Sequence, residues 1–345
     1  MTATSASPAL DETPLLEIED LSVDYRQGVG KPPVHAVRNV SFTVGRGETV
    51  SIVGESGSGK STIGNAVLGT RAVTSGTIRF RGRDITRLSV KQRREISASL
   101  QAVFQDPYSS LDPARTIGES VAEPLQVGGQ TSRIETSRRT TSVLGRVGVA
   151  AQAASRYPGE FSGGQRQRIS IARAIVRTPE LVICDEAVSA LDVSVQAHVL
   201  NLLDDLKQEF GTSYVFISHN MAVVRHISDR VVVLYRGRVM EEGPAAAVCD
   251  TPAHPYTRSL VAAVPVPDVA EQRARRIKRS AATTASGIEP TDEVGCPFAA
   301  RCPFAQLKCV ETTPEPVEIE SGRRVACIRI GEIGLGAVTP LAVRA

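Results

Sequence analysis

The segment Gly54-Glu55-Ser56-Gly57-Ser58-Gly59-Lys60-Ser61-Thr62 constrains this chain more than any other, because it fits the spacing G-x-x-x-x-G-K-[ST]. The apolar run ETVSIVG precedes it and STIGNAVLG follows it, which reads as strand, loop and helix. Glycines at these positions let the backbone curl so that its N–H groups face phosphate oxygens. The helix that follows adds positive potential at its N-terminus, and Lys60 neutralises the outer phosphates. Ser61 is then placed to ligate Mg2+. A loop of this kind implies an α/β fold that binds a nucleoside triphosphate with magnesium.

Such a site needs an acidic group at a neighbouring strand end. The apolar run Leu181-Val182-Ile183-Cys184 delivers Asp185 and Glu186 there, where parallel sheets place their chemistry. The expected roles are Asp185 on the metal and Glu186 on the water that attacks the terminal phosphate. ELVICD and TSYVFIS are continuous apolar runs separated by the helical stretch VQAHVLNLLDDLKQEF, as expected of buried parallel strands with a crossover helix. Alternating apolar residues in LLEIEDLSVDY and VRNVSFTV predict two early antiparallel strands. RVVVLYRGRVM reads as a hairpin turning at Arg236-Gly237. Residues from about Thr116 to Arg177 read as mostly helical, broken at Gly128, Gly129, Pro158 and Gly159.

A third motif, Phe161-Ser162-Gly163-Gly164-Gln165, lies between the phosphate loop and the acidic strand. Ser162 with the backbone of Gly163 and Gly164, at a helix start, makes another anion site. In this order the three motifs resemble the ATP-binding cassette (ABC) family, whose signature is usually Leu-Ser-Gly-Gly-Gln. The resemblance implies a P-loop NTPase cassette: a mixed β-sheet core with an antiparallel β subdomain and an α-helical subdomain. It further implies that the signature, Ser162 to Gln165, closes in trans on ATP held by a second cassette. Residue by residue, Tyr25 resembles the aromatic that stacks on adenine, and Gln105 in VFQDP the glutamine that touches magnesium and senses a membrane partner. Asp192 resembles the aspartate contacting the opposite cassette, and His219 the switch histidine at the terminal phosphate. Ala187, Phe161 and Asn220 depart from the usual proline, leucine and aspartate, but none removes a phosphate ligand. His35, His198, His226 and His254 match no catalytic position and read as structural.

Longer stretches are more specific. FQDPYSSLDPARTIGESVAEPL, YPGEFSGGQRQRISIARAI and TPAHPYTRSLVAAVP resemble the ATPase subunits of bacterial oligopeptide and dipeptide importers, a group that includes nickel importers. That resemblance implies two permease subunits, a second ATPase chain and, indirectly, an extracytoplasmic peptide-binding protein. The 345 residues carry 40 basic and 37 acidic side chains, too balanced to predict a nucleic-acid partner. No apolar run approaches the roughly 18 residues of a spanning helix, and the N-terminus lacks the features of a signal peptide. The expected location is therefore the cytoplasmic face of a membrane, held there by the permeases.

The expected organisation is a flexible leader over 1–14, a nucleotide-binding domain over 15–250 with its helical subdomain at about 107–178, and an extension over 251–345. Within the extension, 268–292 reads as a linker whose basic run, Arg273 to Arg279, is more a solvated segment than a lipid contact. Cys296, Cys302, Cys309 and Cys327 then crowd one segment and suggest a metal. Their spacing leaves the metal open. GCPFAARCPFAQLKC resembles the extension of peptide-importer ATPases, which implies a [4Fe-4S] cluster, with Zn2+ and a metal-free thiol cluster as the alternatives.

Overall fold

The computed structural model describes residues 13–28, 30–106, 108, 110–127, 132–189, 191–264 and 294–334. Nearly all of the expected leader, Gly128 and Gly129, and the whole expected linker with its basic run lie outside these residues. Strands β1 (Leu16–Tyr25) and β2 (Val34–Val44) pair antiparallel, as the alternation in both runs predicts. Leu16, Ile18, Leu21 and Val23 are buried from one, Val40, Phe42 and Val44 from the other. The chain then crosses to a second sheet through β3 (Thr49–Val53) before β4 (Ser75–Phe80) and β5 (Arg83–Asp84) return to complete a four-stranded layer, ordered β2-β1-β4-β5.

The second sheet holds β6 (Leu100–Val103), β7 (Leu181–Asp185), β8 (Ser213–Ser218), β9 (Arg230–Tyr235), β10 (Arg238–Pro244), β11 (Val317–Glu320) and β12 (Arg323–Val325), ordered β11-β12-β10-β9-β3-β8-β7-β6. Strand β3 runs parallel to both β8 and β9, β8 to β7, and β7 to β6. Every residue of β3 and β8 is buried, which is why these segments show continuous apolar character rather than alternation. The β9–β10 hairpin turns at Arg236 and Gly237 with φ of 45° and 78°, the positive pair that a tight two-residue hairpin demands.

Helix α1 (Lys60–Leu68) packs between the two sheets with Ile63, Ala66 and Val67 buried, α2 (Val90–Ile96) has no buried residue, and α6 (Val193–Phe210), the expected crossover, packs through Val199, Leu203 and Leu206. Between β6 and β7 the chain is helical, as its pattern predicts, through α3 (Ile117–Val127), α4 (Arg133–Arg146) and α5 (Gly163–Ile175). Ile117, Val121 and Leu125 recur every fourth residue on α3 and pack with Leu144 and Ile169 into one core. Pro158 and Gly159 form a short 3₁₀ turn ahead of α5 rather than a simple break. Helix α7 (Met221–Ile227) follows β8.

The segment after β10 holds more order than a Pro-rich composition suggests. Helices α8 (Ala245–Asp250) and α9 (Pro255–Ala262) form a third core with Tyr235, Tyr256 and Phe298. Strand β12 pairs antiparallel with β10, so the cysteine-bearing segment extends the main sheet instead of hanging from it. A buried ion pair locks that junction: Arg323 and Glu241 are 1% and 0% exposed, with Arg323 Nη2 2.8 Å from Glu241 Oε1. Glu241 also accepts backbone N–H bonds from Ala253 (3.0 Å) and His254 (2.9 Å). Removing one partner of a buried pair strands the other charge. Arg323→Leu is therefore expected to destabilise the full chain by on the order of 3–5 kcal/mol in chemical denaturation. A loss below about 1 kcal/mol, as for an exposed pair, would contradict this role.

Candidate functional site

Because β3, β8, β7 and β6 are parallel neighbours, their C-terminal ends lie along one edge of the sheet. That edge receives Gly54 after β3, Asp185 at the end of β7, His219 after β8 and Gln105 just beyond β6. Gly54, Asp185, His219 and Gln105 are thus brought to one edge by strand direction, in the crevice where open α/β sheets hold ligands, whereas Tyr25 comes from β1 of the other sheet.

The phosphate loop bends sharply at its glycines. Gly59 has φ of 103°, and a Cβ there would sit 2.3 Å from the Ala36 carbonyl oxygen, so only glycine fits where the loop enters α1. Lys60 Nζ donates to the carbonyls of Gly54 (2.9 Å) and Glu55 (2.8 Å) across the loop. Burial holds the Lys60 ammonium below its usual pKa, against the pull of Glu186 and Asp185. Ser58 Oγ is buried without a hydrogen-bond partner among the described residues, as expected of a donor kept for phosphate. Gly57 stands at a positive φ, and Ser56 and Gly57 are exposed on the loop's outer turn. The loop's residues therefore fit a triphosphate.

Ser61 and Asp185, two of the expected metal ligands, are in contact. Ser61 Oγ donates to Asp185 Oδ1 at 2.8 Å, which joins the start of α1 to the end of β7. Burial raises the Asp185 carboxyl above its ordinary pKa, and the neighbouring Glu186 adds to that, while the Ser61 hydroxyl and Lys60 oppose it. A hydroxyl and a half-buried carboxylate in contact are suitable oxygen donors for Mg2+. Gln105 is exposed at the same edge.

Glu186 adopts φ of 47°, an uncommon conformation for a side chain of its size. Its backbone N–H donates to the Ile217 carbonyl (3.0 Å), and its Oε1 lies 3.3 Å from His219 Nδ1. Backbone strain of this kind collects at functional positions. Tyr25 Oη lies 3.2 Å from Thr62 Oγ1, and the Arg71 guanidinium stands 4.2 Å over the Tyr25 ring. His254, which matches no catalytic position, is fully buried, accepts the Tyr256 N–H on Nδ1, and is pushed down to about 3 by burial, so it stays neutral.

Ser162 caps α5 in a reciprocal box: its Oγ accepts from Gln165 N, while Gln165 Oε1 accepts from Ser162 N. A Cβ on Gly164 would come within 2.6 Å of Val195 Cγ1, so this turn packs directly against α6. Asp192 stands at the N-cap of α6 and makes no side-chain capping bond.

Two side chains that the sequence reading did not connect with the loop reach it from the extension. Arg301 pairs with the Glu55 carboxylate, and Tyr256 Oη accepts the Glu55 N–H at 2.9 Å. No local pattern signals either contact, since both join segments remote in sequence. The four clustered cysteines, all unpaired, line one pocket together with His254, Phe304 and Arg329. Burial pushes Cys296 up to about 12 and Cys302 up to about 11, so both are neutral thiols at pH 7. Among the described residues no group of three or more His, Cys, Asp or Glu side chains is arranged to hold a single metal ion.

Comparison with known proteins agrees with this geometry. The ABC transporter family profile matches residues 37–189, and the profile of the oligopeptide/dipeptide transporter C-terminal region matches residues 240–309. The oligopeptide transport ATP-binding protein OppF of Salmonella typhimurium is 43% identical over 324 residues, covering 92% of this chain and 96% of its own. OppF of Escherichia coli gives the same identity and coverage. Among solved structures, a dimeric ATP-binding cassette in a post-hydrolysis state with ADP and Pi superposes with a TM-score of 0.61 at 29% identity, covering 67% of this chain and 98% of its own. The cbiO1 protein of Clostridium perfringens, part of the ABC transporter complex cbiONQ, gives 0.62 at 26%, covering 78% and 99%. The phosphate loop, the Ser61–Asp185 contact and these similarities together mean that the chain is an ATPase, and it belongs to the ABC transporter family in the branch that carries the oligopeptide/dipeptide transporter C-terminal region.

Proposed function

We propose that this protein powers uptake of oligopeptides or dipeptides through two separate permease subunits, as the ATPase at the cytoplasmic face of the membrane. The observation that carries this reading is the joining of a complete ATP-site edge to an extension that shares its sheet through β12 and matches the peptide-transporter region. No helix among the described residues is long and apolar enough to cross a membrane. The cassette is assigned to 15–250 and the extension to 251–345.

In this mechanism the backbone from Gly54 to Thr62 and Lys60 hold the β- and γ-phosphates, and Tyr25 stacks on adenine. Ser61, Asp185 and Gln105 would hold Mg2+, which would supply positive charge against the outer phosphates. Glu186 orients and deprotonates the attacking water, while His219, 3.3 Å from it, contacts the terminal phosphate. Ser162, Gly163, Gly164 and Gln165 close on ATP held by a second cassette, with Asp192 at the seam. Each nucleotide then binds more tightly in the paired state, and this differential affinity drives closure. Hydrolysis resets the pair.

Glu186→Gln is expected to bind ATP while slowing hydrolysis by about 10²–10⁴-fold. Nucleotide-binding titrations and steady-state ATPase assays measure the two effects separately, and normal turnover in the variant would overturn the assigned role. In cells carrying the permeases, the same variant abolishes uptake of labelled di- and oligopeptides. Peptide uptake that persists with an inactive ATPase moves the assignment to nickel or another small solute.

For the cysteines we propose a [4Fe-4S] cluster held by Cys296, Cys302, Cys309 and Cys327. Four thiols on one pocket support it. Loading displaces the thiol protons and ties the extension together. Anaerobically purified protein should contain iron and acid-labile sulfide and absorb in the visible, and Cys302→Ser should lose both. Stoichiometric zinc, or no metal, would reject the cluster.

A further inference from the structure

Glu55, the second residue of the phosphate loop, has all its polar groups engaged. Its carbonyl accepts from Lys60 Nζ at 2.8 Å within the loop. Its N–H donates to Tyr256 Oη at 2.9 Å, and its carboxylate receives a two-pronged contact from Arg301, Nη1 to Oε2 at 2.8 Å and Nη2 to Oε1 at 2.9 Å. The last two partners belong to the extension, Tyr256 on α9 and Arg301 at the end of the short 3₁₀ turn Ala299–Arg301, one residue before Cys302.

These partners are themselves fixed. Tyr256 is fully buried, and its ring lies 4.5 Å from Tyr235 and 5.3 Å from Phe298, centre to centre. The Arg301 guanidinium rests 5.6 Å from the Phe298 ring and 5.9 Å from the Tyr235 ring, and its Nη1 reaches Tyr235 Oη at 3.5 Å. The aromatic cluster thus presents both donor and acceptor to the loop at a set distance. A planar fork on a carboxylate also fixes orientation in a way that a lone ammonium does not.

The contact has an electrostatic consequence. Glu55 places a negative charge in a loop whose ligand is a polyanion, and an uncompensated carboxylate there repels the phosphates. Arg301 holds the Glu55 carboxyl below its ordinary pKa, so the acid remains ionised and its charge is matched by the guanidinium. The side chains of the pair are 51% and 42% exposed, so the ion pair itself contributes little to folding. Its effect falls on the loop it touches. We propose that Arg301, with Tyr256, is a positioning residue for ATP: the extension neutralises and orients Glu55 so that the phosphate loop accepts the triphosphate.

The proposal concerns nucleotide affinity and stands whatever solute the transporter carries. It is tested on the full chain by titrating MgATP and by steady-state ATPase kinetics, with thermal unfolding in parallel. Arg301→Ala should weaken MgATP binding and raise KM by roughly three- to tenfold, with a smaller change in kcat and little change in unfolding temperature. Arg301→Lys should recover part of the affinity, because it keeps the charge but loses the fork. Arg301→Ala combined with Glu55→Gln should recover most of it, because the unmatched carboxylate is gone. Unchanged MgATP affinity in Arg301→Ala overturns the proposal. So does a weakened affinity that follows a drop in unfolding temperature and is not restored by Glu55→Gln, since that pattern belongs to a purely structural contact.

Discussion

Everything at the nucleotide edge depends on four strands running the same way. With β3 hydrogen-bonded to β8, β8 to β7 and β7 to β6, all parallel, the ends of these strands share one level. Gly54, Asp185, His219 and Gln105 need no long-range device to meet there. An antiparallel β7 would carry Asp185 to the opposite edge, where Ser61 Oγ could not contact it at 2.8 Å. Burial of β3 and β8 on both faces makes this pairing costly to shift, since every slipped register would expose apolar side chains.

The same sheet explains why the extension is not a passenger. Antiparallel pairing of β12 with β10 continues the sheet beyond β9, on the opposite side of β3 from the catalytic strands β8 and β7. The buried Arg323–Glu241 pair fixes that junction, and the core of Tyr235, Tyr256 and Phe298 carries the connection back to the phosphate loop. Arg301, which pairs with Glu55 of the loop, immediately precedes Cys302 of the cysteine pocket, so the two regions are joined through adjacent residues.

Two kinds of restraint meet at the site. The Ser61–Asp185 contact joins the start of α1 to the end of β7, whereas the Ser162 cap is built by α5 against α6. Glu186 links the two regimes: its strained backbone is set by β7 and β8, yet its carboxylate faces a histidine rather than a fixed ion pair.

The sequence by itself determined the elements whose information is local. The glycine spacing from Gly54 to Lys60, the apolar runs before Asp185 and His219, the alternation in β1 and β2, and the Arg236-Gly237 turn all follow from backbone sterics and burial read over a few residues. Resemblance to the cassette family, rather than local spacing, carried the expectations for Tyr25, Ser162 and Asp192. Tertiary structure decided what joins segments far apart in the chain: the pairing of β12 with β10, the burial of Arg323 against Glu241, the gathering of four cysteines on one pocket, and the grip of Arg301 and Tyr256 on Glu55. Such contacts leave no periodicity or spacing behind them, because an arginine or tyrosine carries the same local pattern whether its partner is solvent or a loop folded back from the other end of the chain.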